Sequence, residues 1–175
     1  MINLVCEDNF LKKNFISLLT QKRLMTPINN LGYFSSMHIK EYSNSLELII
    51  DDLNLNFKLP LSINLLLKKI HEKLFLINIG LNNCSYFPYQ RLIKAKDQKK
   101  TYLSYLQNII LSNLIINKDG IEKFTIYKLI WPEDRNISMN KLDTHLTNLK
   151  NHINTNLNFK IYFQSHNKVL RLIIN

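Results

Sequence analysis

Four aliphatic residues, Leu142, Leu146, Leu149 and Ile153, recur every three or four positions in a stretch that is otherwise mostly polar. That spacing is the helical period, so the segment predicts an amphipathic helix with one apolar stripe. Lys141, Thr144, Asn148 and Asn151 fall on the far side, and none of them is acidic. A helix of this kind needs a core on one side and can offer a polyanion reader on the other. The neighbouring sequence decides which fold supplies that core.

Upstream, Ser104-Tyr105-Leu106-Gln107 has the S-x-x-Q form of a capping box and opens an apolar run through Ile109, Ile110, Leu111 and Leu114. Asn117-Lys118-Asp119-Gly120 is a stop-and-turn cluster. Thr125 is placed to cap a short helix over Ile126–Trp131, closed by Pro132, which lacks an N–H and crowds the preceding turn. Pro132–Asn136 reads as the loop into the amphipathic helix. Beyond it, Asn158–Phe163 and Val169–Ile174 read as β-strands joined by the polar tip Gln164–Lys168. Three helices followed by a β-hairpin predict a winged helix, a helix-turn-helix variant whose last helix enters the major groove.

This segment resembles the effector domain of OmpR-type bacterial response regulators, whose reading helix has the form T-L-E-T-H-I-Y-R-L-R-Q-K-I. Leu142, Asp143 (for Glu), Thr144, His145, Leu146 (for Ile), Leu149 and Ile153 match it. Phe124–Trp131 is similar to the preceding V-S-R-E-x-L-L-x-x-V-W run, ending on its tryptophan. Phe75–Lys100 is similar to the small antiparallel sheet in front of the first helix, with strands expected at Phe75–Gly80, Cys84–Tyr89 and Arg91–Lys96. The resemblance covers residues 75–175. It departs late in the helix, where Asn148, Lys150 and His152 stand in place of two arginines and a lysine; arginine reads guanine bidentately in a way lysine only partly replaces. It departs again at the wing tip, where glycines are absent and Asn167, tolerant of left-handed backbone angles, stands instead.

The resemblance implies Lys141, Thr144 and Asn148 toward the major groove, with Lys150, Asn151 and the flank at His145 on phosphates. Ser165, His166, Asn167 and Lys168 would lie at the wing and minor groove. It also implies double-stranded DNA as partner, a homodimer on repeated half-sites, and an RNA polymerase contact through the Pro132–Asn136 loop.

Charge agrees once composition is allowed for. The chain carries 23 Lys or Arg against 13 Asp or Glu, a net charge of +10. It is also rich in Lys, Asn, Ile and Leu and poor in Gly, Ala and Pro, as drift toward A·T-rich codons produces. Residues 1–75 hold nine basic and seven acidic side chains, net +2, whereas residues 76–175 hold fourteen and six, net +8. Codon drift acts on both parts alike, so the asymmetry favours a nucleic-acid partner for the second.

The first part reads strand, acidic pair, helix: Asn3–Cys6, then Glu7-Asp8, then the periodic Phe10, Phe15, Leu18 and Leu19. A response-regulator receiver begins in this manner, its acidic pair holding the Mg²⁺ of phosphoryl transfer. Leu46–Ile50 reads as a strand ending on Asp51-Asp52. Phe57–Ser62 leading into Leu65, Leu66, Leu67 and Ile70 resembles a receiver's last strand, Lys-Pro pair and last helix, but Leu59 stands before Pro60 and Lys58 is one place early. Five β-α units need about 110–120 residues, and residues 1–75 leave room for three strands and two helices. Glu7 and Asp8 are therefore expected as a degenerate acidic remnant without metal, and Asp51 and Asp52 as remnant phosphoacceptor candidates without phosphoryl transfer.

Other chemistry is thin. Cys6 and Cys84 are too few and too far apart for a zinc site, His145 and His152 are not spaced i, i+4, and no apolar run is long enough to span a bilayer. The sequence therefore predicts an α+β chain: a reduced receiver-like α/β module over residues 1–74, and an OmpR-type winged helix-turn-helix over 75–175 with a small antiparallel sheet, three helices and a wing hairpin. Its expected function is sequence-specific DNA binding in transcriptional regulation, cytoplasmic, independent of phosphorylation, with neither catalysis nor cofactor. The alternative is a protein-interaction module that keeps the winged-helix fold without reading bases.

Overall fold

The computed structural model describes residues 3–21, 36–50, 53–157 and 159–174. They form a mixed α+β chain that divides between Leu74 and Phe75 into two units.

The first unit runs β1 (Asn3–Cys6), α1 (Asn9–Gln21), β2 (Ser36–Tyr42), β3 (Ser45–Ile50), β4 (Leu53–Lys58) and α2 (Ile63–Leu76), the last helix crossing the boundary. Its sheet has the order β1-β2-β3-β4. β1 and β2 are parallel, from Asn3 opposite Ser36 to Cys6 opposite Ile39. The next two pairings are antiparallel. The expected β-α repeat therefore stops after one parallel pair. The reason is local: Tyr42 and Ser45 are separated only by Ser43-Asn44, and a two-residue turn joins antiparallel strands, whereas parallel strands need a long crossover. β4 is a strand of its own, its Leu53, Leu55 and Phe57 alternating with Asn54, Asn56 and Lys58 at strand period.

Apolar periodicity selects the buried faces unevenly. Phe15, Ile39, Leu46, Leu48, Leu66, Leu67, Ile70 and Leu74 are buried. Phe10, expected on the inner face of α1, is 78% exposed, and Leu65 is also exposed.

The second unit runs β5 (Ile79–Leu81), β6 (Cys84–Phe87), β7 (Leu92–Ala95), β8 (Lys100–Tyr102), α3 (Tyr105–Ile116), β9 (Ile121–Glu122), α4 (Lys123–Ile130), α5 (Met139–Asn156), β10 (Ile161–His166) and β11 (Val169–Ile174). β5 to β8 form an antiparallel meander, and β10, β11 and β9 form a second sheet in that order. The strand expected at Phe75–Gly80 is displaced, because α2 continues through Leu76 before β5 begins. β8 adds a strand beyond the three expected, just after the lysine-rich turn that closes β7.

α3 is the centre of this unit. Ser104 Oγ accepts from Gln107 N at 3.3 Å while Gln107 Oε1 accepts from Ser104 N at 2.8 Å, the reciprocal capping box. Asn108 to Leu114 are all buried, so the helix has no solvent face at mid-length. Its polar members are satisfied in place: Tyr86 donates to Asn108 Oδ1 at 2.6 Å, and Asn108 Nδ2 donates to the Pro88 carbonyl at 3.0 Å. Burial pushes the Tyr86 hydroxyl well above its ordinary range and the Cys84 thiol up to about 11, which keeps both neutral. Around α3 pack Ile126 and Tyr127 of α4, the expected stripe Leu142, Leu146, Leu149 and Ile153 of α5, and Ile161 and Leu170 of the hairpin, all buried.

Two boundaries differ from the sequence reading. α4 begins at Lys123, so Thr125 lies inside it, exposed, and does not cap it. Tertiary pairing sets that start: β9 is bonded to β11, and Lys123 N donates to the Lys168 carbonyl at 2.9 Å. The hairpin turn is only Asn167-Lys168, both at positive φ (47° and 66°), while Gln164, Ser165 and His166 belong to β10. Asn167 thus adopts the left-handed conformation expected of it, with a lysine sharing that conformation. The strand begins at Ile161 instead of Asn158, which lies outside the described residues.

Candidate functional site

α5 divides its sides cleanly. Its apolar stripe enters the core, and Asn140, Lys141, Thr144, Thr147, Asn148, Asn151 and Thr155 are exposed. One flank faces the hairpin. There Asp143 Oδ1 accepts from Lys123 Nζ at 2.7 Å, and Asn154 Oδ1 accepts from Ile161 N at 2.9 Å. A groove between this flank and the hairpin is lined by Thr147, Lys150, Tyr162, Phe163 and Ser165, with Lys150 half-buried in it.

The other flank meets the loop after α4 and the edge strand β8. Asp134, in that loop, organises it. Tyr127, itself fully buried, donates its hydroxyl to Asp134 Oδ2 at 2.6 Å. Lys141 Nζ donates to the same oxygen at 3.1 Å, and Asn136 N donates to Oδ1 at 3.2 Å. Lys128 Nζ donates to the Asp134 carbonyl at 3.0 Å. The Tyr127 hydroxyl, then the Lys141 ammonium, hold the Asp134 carboxyl below the usual carboxylate range. Nothing in the spacing of Pro132–Asn136 singled out Asp134, because its partners come from two other elements.

Trp131 sits beside this cluster. Its ring lies 5.4 Å from that of His145, and Lys141 Nζ stands 4.1 Å over it. The tryptophan is half-buried. Further along α5, His152 Nε2 lies 3.0 Å from the Tyr102 carbonyl and 2.9 Å from Thr101 Oγ1. These contacts tie α5 to β8.

The sequence-predicted contact residues therefore separate into groups. Asn148 and Asn151 are exposed and make no side-chain hydrogen bond among the described residues. Thr144 is exposed but its hydroxyl bonds back to the Asn140 carbonyl at 2.9 Å. Lys141 and His145 are held against Asp134 and Trp131, so the positive charge at the head of α5 is already shared. Ser165, His166, Asn167 and Lys168 are exposed around the hairpin tip, with Asn167 and His166 bordering a depression beside Asp119, Gly120 and Arg171.

In the first unit, Asp8 has a structural role: its Oδ1 accepts from Phe10 N at 2.7 Å, and its carbonyl accepts from Lys12 N, so it caps α1. Glu7 is exposed after β1. The sheet register bears on the phosphoacceptor remnant. β3 ends at Ile50, opposite Met37, which pairs with Leu4, whereas Glu7 and Asp8 follow Cys6 toward the other end of the sheet. A receiver pocket gathers its carboxylates at one end; antiparallel β3 does not run that way. Asp51 and Asp52 themselves lie outside the described residues. Among the described residues no group of three His, Cys, Asp or Glu could hold a metal ion, and no helix is long and apolar enough to cross a membrane.

Compared with known proteins, the chain matches no family model and no curated relative.

Proposed function

We propose that residues 75–175 form an OmpR-type winged helix that binds double-stranded DNA, and that the chain is a cytoplasmic transcription regulator working without a phosphoryl switch. The observation that carries this reading is the exposed face of α5. Asn148 and Asn151 stand free on a helix fixed on both flanks, and asparagine pairs bidentately with adenine in the major groove. The adjoining hairpin, with a two-residue tip ending on Lys168, supports it. In this reading the Asn148 amide reads a base edge, Lys150 and the hairpin tip meet phosphates, and Asp134 sets the pitch of α5 by pinning the loop before it. A homodimer on repeated half-sites and a polymerase contact through Pro132–Asn136 belong to the same proposal.

One observation favours the alternative, an interaction module that reads no bases: of the two lysines of α5, the exposed one, Lys141, is already paired with Asp134, and Lys150 is half-buried. Binding to the protein's own genomic fragments and to random duplexes, measured at two salt concentrations, separates the two. Base reading predicts a preferred fragment, and Asn148→Ala then narrows its advantage over random DNA by about 1–3 kcal/mol. Equal affinity for every duplex, unchanged by Asn148→Ala, would reject base reading.

A further inference from the structure

The positive charge of the second unit is concentrated away from α5. Of its fourteen basic residues, Arg91, Lys94, Lys96, Lys99 and Lys100 fall within one ten-residue hairpin that holds a single acid, Asp97. Strand alternation assigns them a face. Ile93, Ala95 and Thr101 point into the core and are buried, so Lys94, Lys100 and Tyr102 share the outer face, where all three are exposed and only Leu92, at the start of β7, is covered; Lys96 follows in the turn, also exposed. Lys94 and Lys100 are direct cross-strand partners. Like charges in that position repel and destabilise a sheet, and neither lysine has an ion pair among the described residues. Codon drift explains lysines in general; it does not explain two of them opposed across one ladder.

We propose that this face of the β5–β8 sheet is a phosphate-binding surface for duplex DNA, taking the backbone that flanks the segment met by α5; the inference rests on the DNA-binding reading above and assigns it a second contact. β8, which carries Lys100, is also the edge strand that α5 abuts: His152 is bonded to it at Thr101 Oγ1 and the Tyr102 carbonyl. Tyr102, 59% exposed, adds an aromatic hydroxyl beside the lysines, a group that contacts phosphate and sugar readily. The division of labour is then spatial: the neutral amides of α5 discriminate, and the sheet adds charge to Lys150, the single lysine of α5 that is unpaired among the described residues.

The test is the salt dependence of full-chain binding to its preferred duplex and to random duplex, for the parent, Lys94→Gln/Lys100→Gln, and a charge-matched control, Lys13→Gln/Lys68→Gln. Each phosphate contact contributes about 0.9 to the slope of log K against log salt. The sheet variant should lose roughly two units of slope and bind both duplexes about tenfold or more weakly at low salt, with the preference between them intact; the control should match the parent. An unchanged slope in the sheet variant overturns the inference while leaving base reading by α5 standing. Equal losses in variant and control overturn it too, because net charge alone would then account for them. A parent that binds no duplex overturns both readings. Folding does not confound the comparison, since relieving the Lys94–Lys100 repulsion should leave the thermal midpoint equal or higher.

Discussion

Gly120 should tolerate no side chain, and the cost of adding one can be built from its surroundings. It adopts φ +104°, where a Cβ would stand 2.5 Å from Val169 Cγ1 and 2.9 Å from Arg171 Cγ. Backbone angles in this region cost a non-glycine residue about 1–3 kcal/mol. The nearer contact is also about 1 Å inside an ordinary carbon–carbon separation. Val169 is stiff at χ1 and pairs with Glu122 in the β9–β11 ladder. Relief therefore requires moving the strand, a strain of about 1–3 kcal/mol. Against this, alanine restricts the unfolded chain and returns about 0.4–1 kcal/mol. Gly120→Ala should thus destabilise the second unit by about 3 kcal/mol, within a range of roughly 1–6. Trp131 is the only tryptophan, so its fluorescence during urea unfolding reports that unit specifically. Gly80 is the internal control: a Cβ there meets nothing within 4 Å, and Gly80→Ala should stay within about 0.5 kcal/mol of the parent. Equal midpoints for Gly120→Ala and Gly80→Ala would refute the reasoning, because the turn would then relax without moving β11.

Two further outcomes test the cluster beside α5. Because the Asp134 carboxyl is held below its ordinary range when folded, its contribution is present above the unfolded-state value, about 3.9 for an aspartate, and is lost as pH falls through the lower folded value. Acid titration of Trp131 fluorescence should therefore show a transition on the acid side of that value, absent in Asp134→Asn; a transition retained in the variant belongs to another group. Trp131→Ala should cost roughly 1–3 kcal/mol, less than the 3–5 typical of an enclosed aromatic, because the ring is half-buried; a loss at or above that upper range would mean that it is enclosed.

What the sequence made legible was whatever a short window carries. The α5 stripe and the Ser104/Gln107 box are decided by residues within one or two turns, and both appear as read. The start of α4 is different. Thr125 is the better cap locally, yet the helix begins two residues earlier because β9 is bonded to a strand almost fifty residues away. In residues 1–74 local composition marks the strands at Asn3–Cys6 and near Leu46–Ile50, but their directions are set by the two-residue turn at Ser43-Asn44. At the candidate site, exposure of Asn148 and Asn151 follows from helical period alone. The sharing of Lys141 with Asp134 and Trp131 required knowing how the loop folds back.

α5 keeps its structural obligations and its exposed positions on separate residues, and this bears on how such a protein changes over generations. Leu142, Leu146, Leu149 and Ile153 carry the core, while Asn140, Asn148 and Asn151 carry none of it. Asparagine and lysine codons differ only in their third base. Each of those three positions is thus one nucleotide change from a cation and outside the hydrophobic interior, so the charge of this face can be rewritten without the fold being asked to follow.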